Sequence, residues 1–273
     1  PHVRRLLDEK KSIGKRHVKI QRGVMENHIF SDTIAKMKIS DIKRADIIDF
    51  RSRLLLKELG GRMVNMIIGI LKTVFKEAFF REEIDRDPTL GIGKIKYEKK
   101  EVGTFTVEEL RMLFPLDNIG VWHSKLDYTC FFLASITGMR RGEILAVRWE
   151  DINFDKGFLT VTSAWKDIDE IGLPKWNRMR RIPLPLIIID KLRDLQQESI
   201  QCLPENLIFC YDDGTRLGNT WWKKRFDSAM EKAGIDKKAR NLKPHSFRHT
   251  LNTILRDSGE DNAKIRATLG WLS

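Results

Sequence analysis

Hydrophobic positions recur at helical spacing through the first ninety residues. In RMVNMIIGILKTVFKEAFFREE, Val64, Ile67, Ile68, Leu71, Phe75 and Phe79 fall on one face, which predicts a long amphipathic helix with that stripe in the core. An earlier stretch, SDTIAKMKISDIKRADIIDFRSRLL, predicts a second helix capped by Ser40, and Gly60-Gly61 separates the two. Asp87-Pro88 ends the helical pattern. TLGIGKIKYEKKEVGTF has two glycines, a lysine-rich run and no apolar period, so it reads as a linker. A new unit starts near residue 104, where Thr106-Val-Glu-Glu matches a capping box. YTCFFLASITGMRRGEILAVRW then predicts two buried helices turning at Gly138. GFLTVTSAW (157–165) alternates as a strand does, and MRRIPLP (179–185) is its expected partner, with Lys175 in the loop between. Helices are expected around 185–199 and 219–233, with a short strand at LIFC between them. Pro244 opens a last helix, HSFRHTLNTILRDSG, which Gly259 ends. The expected architecture is mainly α with a small antiparallel β-sheet. It comprises an all-helical unit (1–90), a linker (91–103) and an α+β unit (104–273).

Composition narrows the class. With 41% hydrophobic and 32% charged residues, the chain has neither disordered nor membrane composition, and its apolar stretches are too short to span a bilayer. Charges stand where a signal peptide would have its apolar core. No Met stands at residue 1, so a fragment of a longer chain is expected. The three cysteines, Cys130, Cys202 and Cys210, lack any CxxC spacing, which argues against a disulfide framework or zinc ribbon. A reduced, cytoplasmic setting follows as the expectation. The formal net charge is +12, and it is uneven. Residues 1–100 hold 24 Lys+Arg against 14 Asp+Glu, while residues 101–273 hold 26 against 24. The first segment therefore carries most of the attraction for a polyanion, unless that surface serves only solubility.

The candidate chemistry lies in two distant runs. TGMRRGE (137–143) sets Arg140 three residues before Glu143, and HSFRH (245–249) sets His245 three residues before Arg248, so each pair is expected on one helical face. Two arginines brought together from separate segments make a seat for an oxyanion, and phosphate suits the guanidinium fork. A structural Arg140–Glu143 ion pair is the plainer alternative. His245 and His249 at i, i+4 raise a metal site, but the glutamate of HExxH and any cysteine cluster are missing, so no metal is expected. His245 beside Arg248 fits a proton-handling imidazole next to a phosphate-binding guanidinium. Lys175 is either a lysine that reaches into a groove or a solvated loop charge. Trp271, taken alone, reads as core.

The order of these blocks is more specific than any one of them. TGMRRGEILAVRWEDI, a strand–loop–strand with Lys175 before RRIPL, then HSFRHT, then LGW resembles the tyrosine recombinase/phage integrase family over essentially the whole chain. The resemblance implies a helical core-binding domain before residue 100 and a catalytic domain after it. Arg140 and Arg248 match the family's catalytic arginines, Glu143 and His249 supporting residues, and Lys175 the hairpin lysine. His245 matches the HxxR histidine, and Trp271 falls where members have histidine or tryptophan. The implied activity is site-specific cleavage and rejoining of double-stranded DNA through a 3′-phosphotyrosine intermediate, without cofactor, by a homo-tetramer of the full-length protein. One departure is plain: the nucleophile should follow Trp271, yet the only tyrosines are Tyr97, Tyr128 and Tyr211. Residues 1–273 are therefore expected to bind DNA, largely as a monomer, without cutting it. Two rivals share parts of this pattern: a non-catalytic DNA-binding regulator on the same fold, and a type IB topoisomerase-like enzyme.

Overall fold

The computed structural model describes residues 18–98, 101–167, 170–172 and 179–261. The chain divides into two compact units, residues 1–99 and 100–273. Expectations for Lys175, Trp271 and the LGW run lie outside the described residues.

In the first unit, helix α1 (Val18–Val24) runs into a π-helical turn (Met25–Ile29). Two 3₁₀ turns follow, then helices α2 (Arg44–Leu56) and α3 (Gly61–Phe80). Ser40 does not cap α2. Its hydroxyl donates to Asp41 (2.9 Å), and the helix starts at Arg44, where the Asp46 carboxylate accepts from the Lys43 backbone N–H (2.7 Å). Gly60 precedes α3 as expected. The α3 stripe is buried at Val64, Ile67, Ile68, Leu71 and Phe75, but Phe79 is exposed. Ile70, Val74 and Ala78 are buried as well, so the core face is wider than the expected stripe and runs on to Ala78 rather than Phe79. A buried Asp32 accepts both Nε (3.0 Å) and Nη2 (2.6 Å) of Arg53, which holds its carboxyl below the usual range. The stretch that reads as a linker is tied down in part. Ile92 is buried in the first core, and the Asn65 amide brackets the Ile95 backbone, donating to its carbonyl (2.9 Å) and accepting from its N–H (2.8 Å).

The second unit opens on helix α4 (Val107–Leu113). Its capping box is the expected one, with Thr106 Oγ1 accepting from the Glu109 N–H (3.2 Å) and Glu109 returning the bond to the Thr106 N–H (2.9 Å). Helix α5 (Lys125–Thr137) ends at Gly138, whose φ of 58° lets the chain reverse at once into the one-turn helix α6 (Arg141–Ile144). Strands β1 (Ile152–Asn153), β2 (Phe158–Val161) and β5 (Arg180–Pro183) form an antiparallel sheet in the order β1-β2-β5. The expected 179–185 pairing appears, with Leu159 opposite Ile182 and Val161 opposite Arg180. The 157–165 strand does not run through. After Val161 the chain turns into β3 (Ala164–Asp167), which pairs with β4 (Glu170–Gly172) as a separate hairpin.

Helices α7 (Leu186–Glu198), α8 (Asn219–Lys232) and α9 (Ser246–Asp257) complete the unit. LIFC is not a strand, since its ends make only isolated bridges, Leu207 with Arg148 and Cys210 with Arg216. The core is strongly aromatic. Phe247 of α9 stacks on Phe105 (4.7 Å between centroids) and lies against Phe114, Phe131 and Phe226. Burying such a ring contributes about 1.5–3 kcal/mol, which seats α9 with its polar first turn toward α5 and α6. Cys130, Cys202 and Cys210 are free thiols. Among the described residues, no helix is long and apolar enough to cross a membrane.

Candidate functional site

Arg140 is not inside a helix, as its spacing to Glu143 suggests; it is the residue just before α6, in extended backbone (φ −72°, ψ 148°). From there Glu143 reaches back to it twice. One carboxylate oxygen accepts the Arg140 backbone N–H (2.8 Å) and the other its Nη1 (2.9 Å). The same carboxylate accepts Nη1 (3.2 Å) and Nη2 (2.8 Å) of Arg180 on β5. Glu143 is thus a buried anion clasped by two guanidiniums. Burial pushes its carboxyl up, but Arg180 and then Arg140 outweigh that and hold it below the usual carboxylate range.

Arg180 is the partner of Glu143 that motif reasoning passes over. A signal existed: strand alternation puts Arg180 on the face of the buried Ile182 and turns Arg181 outward.

The HSFRH block arrives on α9. His245 is the residue just before the helix rather than inside it, in αR geometry and without a side-chain capping bond. Arg248 is buried in the first turn, donating through Nη1 to the carbonyl of Gly138 (2.6 Å). The tight turn after α5 therefore serves twice: it reverses the chain, and it presents a carbonyl to an arginine 110 residues later. Thr250, two residues beyond Arg248, donates to Ser246 O (2.8 Å) and accepts the Phe105 N–H (2.8 Å), which straps the start of the unit to α9. Arg140, Arg141, Lys243, His245 and Arg248 line one open cavity of about 370 Å³, floored by Met139, Trp222 and Phe247. Glu143 and Arg180 stand behind it.

Electrostatics follow from this crowding of positive charge. His245 is pushed down to about 4, first by burial and then by His249, Arg248 and Arg140, so its imidazole is neutral at physiological pH. His249 shifts the same way, by burial and by Arg248. The two rings meet edge to face, 5.0 Å apart. Burial and Arg140 lower Arg248 to about 9, which still leaves it charged at neutral pH. Among the described residues, no group of three or more His, Cys, Asp or Glu is placed to hold a metal ion.

None of the three tyrosines lines the cavity. The Tyr128 hydroxyl donates to Pro115 O (2.8 Å), and burial raises its pKa. Tyr211 heads a turn closed by Gly214 N–H to Tyr211 O (2.8 Å), and Tyr97 packs beside Gly61 in the first unit.

Gly142 is the second residue that the motifs pass over. A Cβ there would lie 2.3 Å from the carbonyl oxygen of Trp165. The backbone of β3 rests directly on α6, and the Trp165 indole N–H bonds to Leu145 O (2.8 Å). The β3–β4 hairpin, whose chain leads on to Lys175, is thereby docked on the turn that carries Arg140.

Comparison with known proteins bears on family and fold. Residues 105–273 match the model of the phage integrase family. The ICEBs1 integrase of Bacillus subtilis is 28% identical over 267 residues, covering 92% of this chain and 69% of that protein. The tyrosine recombinase XerD of Staphylococcus epidermidis is 25% identical over 275 residues, covering 93% and 86%. Among solved structures, the Tn1549 transposon integrase with a circular-intermediate DNA superposes with a TM-score of 0.81 at 18% identity, covering 98% of this chain and 90% of that one. A lambda integrase dimer on a core site gives 0.75 at 16% identity, covering 100% and 91%. These last two speak to the fold. With the family model matched over residues 105–273, more than half of its length, the chain belongs to the phage integrase family of tyrosine recombinases.

Proposed function

We propose that this recombinase cleaves and rejoins duplex DNA at a phosphodiester seated in the cavity between Arg140 and Arg248. The observation that carries the reading is their convergence: two guanidiniums and an imidazole, from segments more than a hundred residues apart, line one open cavity. Phosphoryl transfer needs positioning and neutralisation of charge on the non-bridging oxygens, and arginine forks supply both. A tyrosine hydroxyl attacks the phosphorus, a 3′-phosphotyrosine forms, and the 5′-oxygen leaves. Attack by a 5′-hydroxyl reverses the step, so the bond energy is conserved. Lys175 protonates the leaving oxygen. Neutral His245 accepts a proton or bonds the phosphate, whose negative charge opposes Arg248 and Arg140 and so raises the basicity of the imidazole when DNA is bound. Trp271 buttresses the same phosphate. The basic first unit is the core-binding domain, and the working assembly on DNA is a tetramer.

The test uses the full-length protein and a nicked suicide substrate. Arg140→Ala and Arg248→Ala are expected to abolish the covalent adduct while duplex binding persists, since one contact is a small part of a large footprint. Lys175→Ala should be rescued by a 5′-bridging sulfur, a leaving group that needs little protonation. Equal rescue of an arginine variant by sulfur would show that these roles are wrongly divided.

A further inference from the structure

We propose that Arg180 is a positioning residue for this reaction: it fixes the Glu143 carboxylate, and through it the guanidinium of Arg140, without contacting DNA itself. The proposal rests on the reading of Arg140 as a phosphate ligand. Its basis is the division of labour around Glu143. Arg180 grips both carboxylate oxygens, which sets the plane of the carboxylate. Glu143 then has one oxygen directed to the Arg140 backbone and the other to its side chain, so both the main chain and the guanidinium of Arg140 are referenced to β5.

Exposure separates the two arginines. The Arg140 side chain is 26% exposed and lines the cavity, whereas that of Arg180 is 12% exposed and does not. Arg180 stands five residues after Lys175 along the chain, so one ion-pair cluster registers the strand beyond the lysine loop against the turn bearing Arg140. Charge supports the same assignment. Glu143, its side chain 1% exposed, faces Arg140 at the start of its own helix and Arg180 on β5, and Arg248 on α9 feels its field. Removing Arg180 takes away its strongest stabilisation as an anion and leaves burial to favour the neutral acid.

The experiment compares Arg180→Met, Arg180→Lys, Glu143→Gln and the Arg180→Met/Glu143→Gln pair in the full-length protein, reading adduct formation between pH 6 and 9. Arg180→Met is expected to slow cleavage by roughly 10–100-fold, the scale of a small misplacement of a catalytic group. The loss should shrink as pH rises and Glu143 ionises again. Arg180→Lys, which keeps the charge but not the fork, should recover part of the rate. In the Glu143→Gln background, Arg180→Met should add little more than about twofold, because its route of action is already cut. Direct contact with the DNA predicts the opposite: losses that multiply, and a rate deficit independent of pH. Either result, or a wild-type rate in Arg180→Met, overturns the proposal. Should Arg180→Met not fold, Arg180→Lys in the wild-type and Glu143→Gln backgrounds decides, since losses that multiply rather than overlap count against the proposal. If Arg140→Ala itself cleaves normally, the failure belongs to the phosphate reading rather than to Arg180.

Discussion

Replacing Gly142 by alanine should damage this enzyme more than the size of one methyl group suggests. The added Cβ would sit 2.3 Å from the Trp165 carbonyl oxygen, where real Cβ contacts essentially never fall below 3.0 Å. The carbonyl cannot swing away cheaply. Trp165 is paired to Ile171 across the hairpin, its indole N–H is bonded to Leu145 O, and Arg216 covers its ring at 4.6 Å. Overpacking against so constrained a neighbour falls near the upper end of the usual range, about 3 kcal/mol. Helix propensity favours alanine by roughly 0.5–1 kcal/mol, which leaves a net loss near 2 kcal/mol. For a unit of this size that corresponds to a melting shift of about 4–8 °C. All seven tryptophans lie beyond residue 100, so tryptophan fluorescence follows the second unit alone. Gly69→Ala is the matched control. Gly69 is an exposed helical position with nothing within 4 Å of its Cβ site, and alanine there should stabilise the first unit, as followed by circular dichroism. Cleavage by Gly142→Ala should fall by on the order of 100-fold, because Glu143 adjoins the displaced residue and Arg140 lies two positions before it. A Gly142→Ala protein that melts at or above wild type would refute the packing argument outright.

Two further outcomes follow from the site. Because the folded-state pKa of His245 is depressed to about 4 from an ordinary value near 6.5, its contribution to stability is complete above pH 6.5 and is lost as pH falls toward 4. Urea midpoints at pH 7 and pH 5 should therefore drop less for His245→Gln than for wild type, and parallel drops would contradict the burial of a neutral imidazole. Residues 1–273 should form no covalent adduct with a nicked suicide substrate. The Tyr128 hydroxyl is bound to Pro115 O, and Tyr211 is held in a turn away from the arginines. A protease-sensitive shifted DNA band on a denaturing gel would reveal a nucleophile among residues that show none.

Much of the site is legible in the chain because its signals are local. The Thr106 capping box and the reversal at Gly138 depend on a few neighbouring residues, and each appears where its chemistry puts it. Pro244, expected in the first turn of α9, instead lies two residues before the first helical residue, Ser246. Ser40 shows the limit of such signals: a good capping residue lost to Asp46, whose carboxylate reaches the backbone N–H three residues earlier. Arg180 and Arg181 are indistinguishable by composition, and it is alternation along β5, with Arg180 on the face of Ile182, that turns one toward Glu143. Gly142 is opaque for a different reason. Its requirement is imposed by a carbonyl that reaches it only after the β-hairpin has docked. Phe79 continues the helical period yet lies outside the core, because the buried face continues through Val74 and Ala78 and leaves Phe79 to one side of it.

The strap between Phe105 and Thr250 joins residues 145 apart, and the bond from Asn241 to Glu101 O spans 140. The first unit closes over far shorter distances, 30 residues from Asn65 to Ile95 and 42 from Arg51 to Gly93. On the ribosome, where chains grow by about 5–20 residues per second and domains fold as units, this difference becomes an order of events. Those bonds of the basic unit can form once residue 95 has emerged. The arginine cluster must wait for α9, roughly 10–30 s later at those rates. The more basic half of the chain is thus complete before the arginine cluster forms. The slow, long-range closure of the second unit makes that interval the period in which its unpaired aromatic core most needs protection from aggregation.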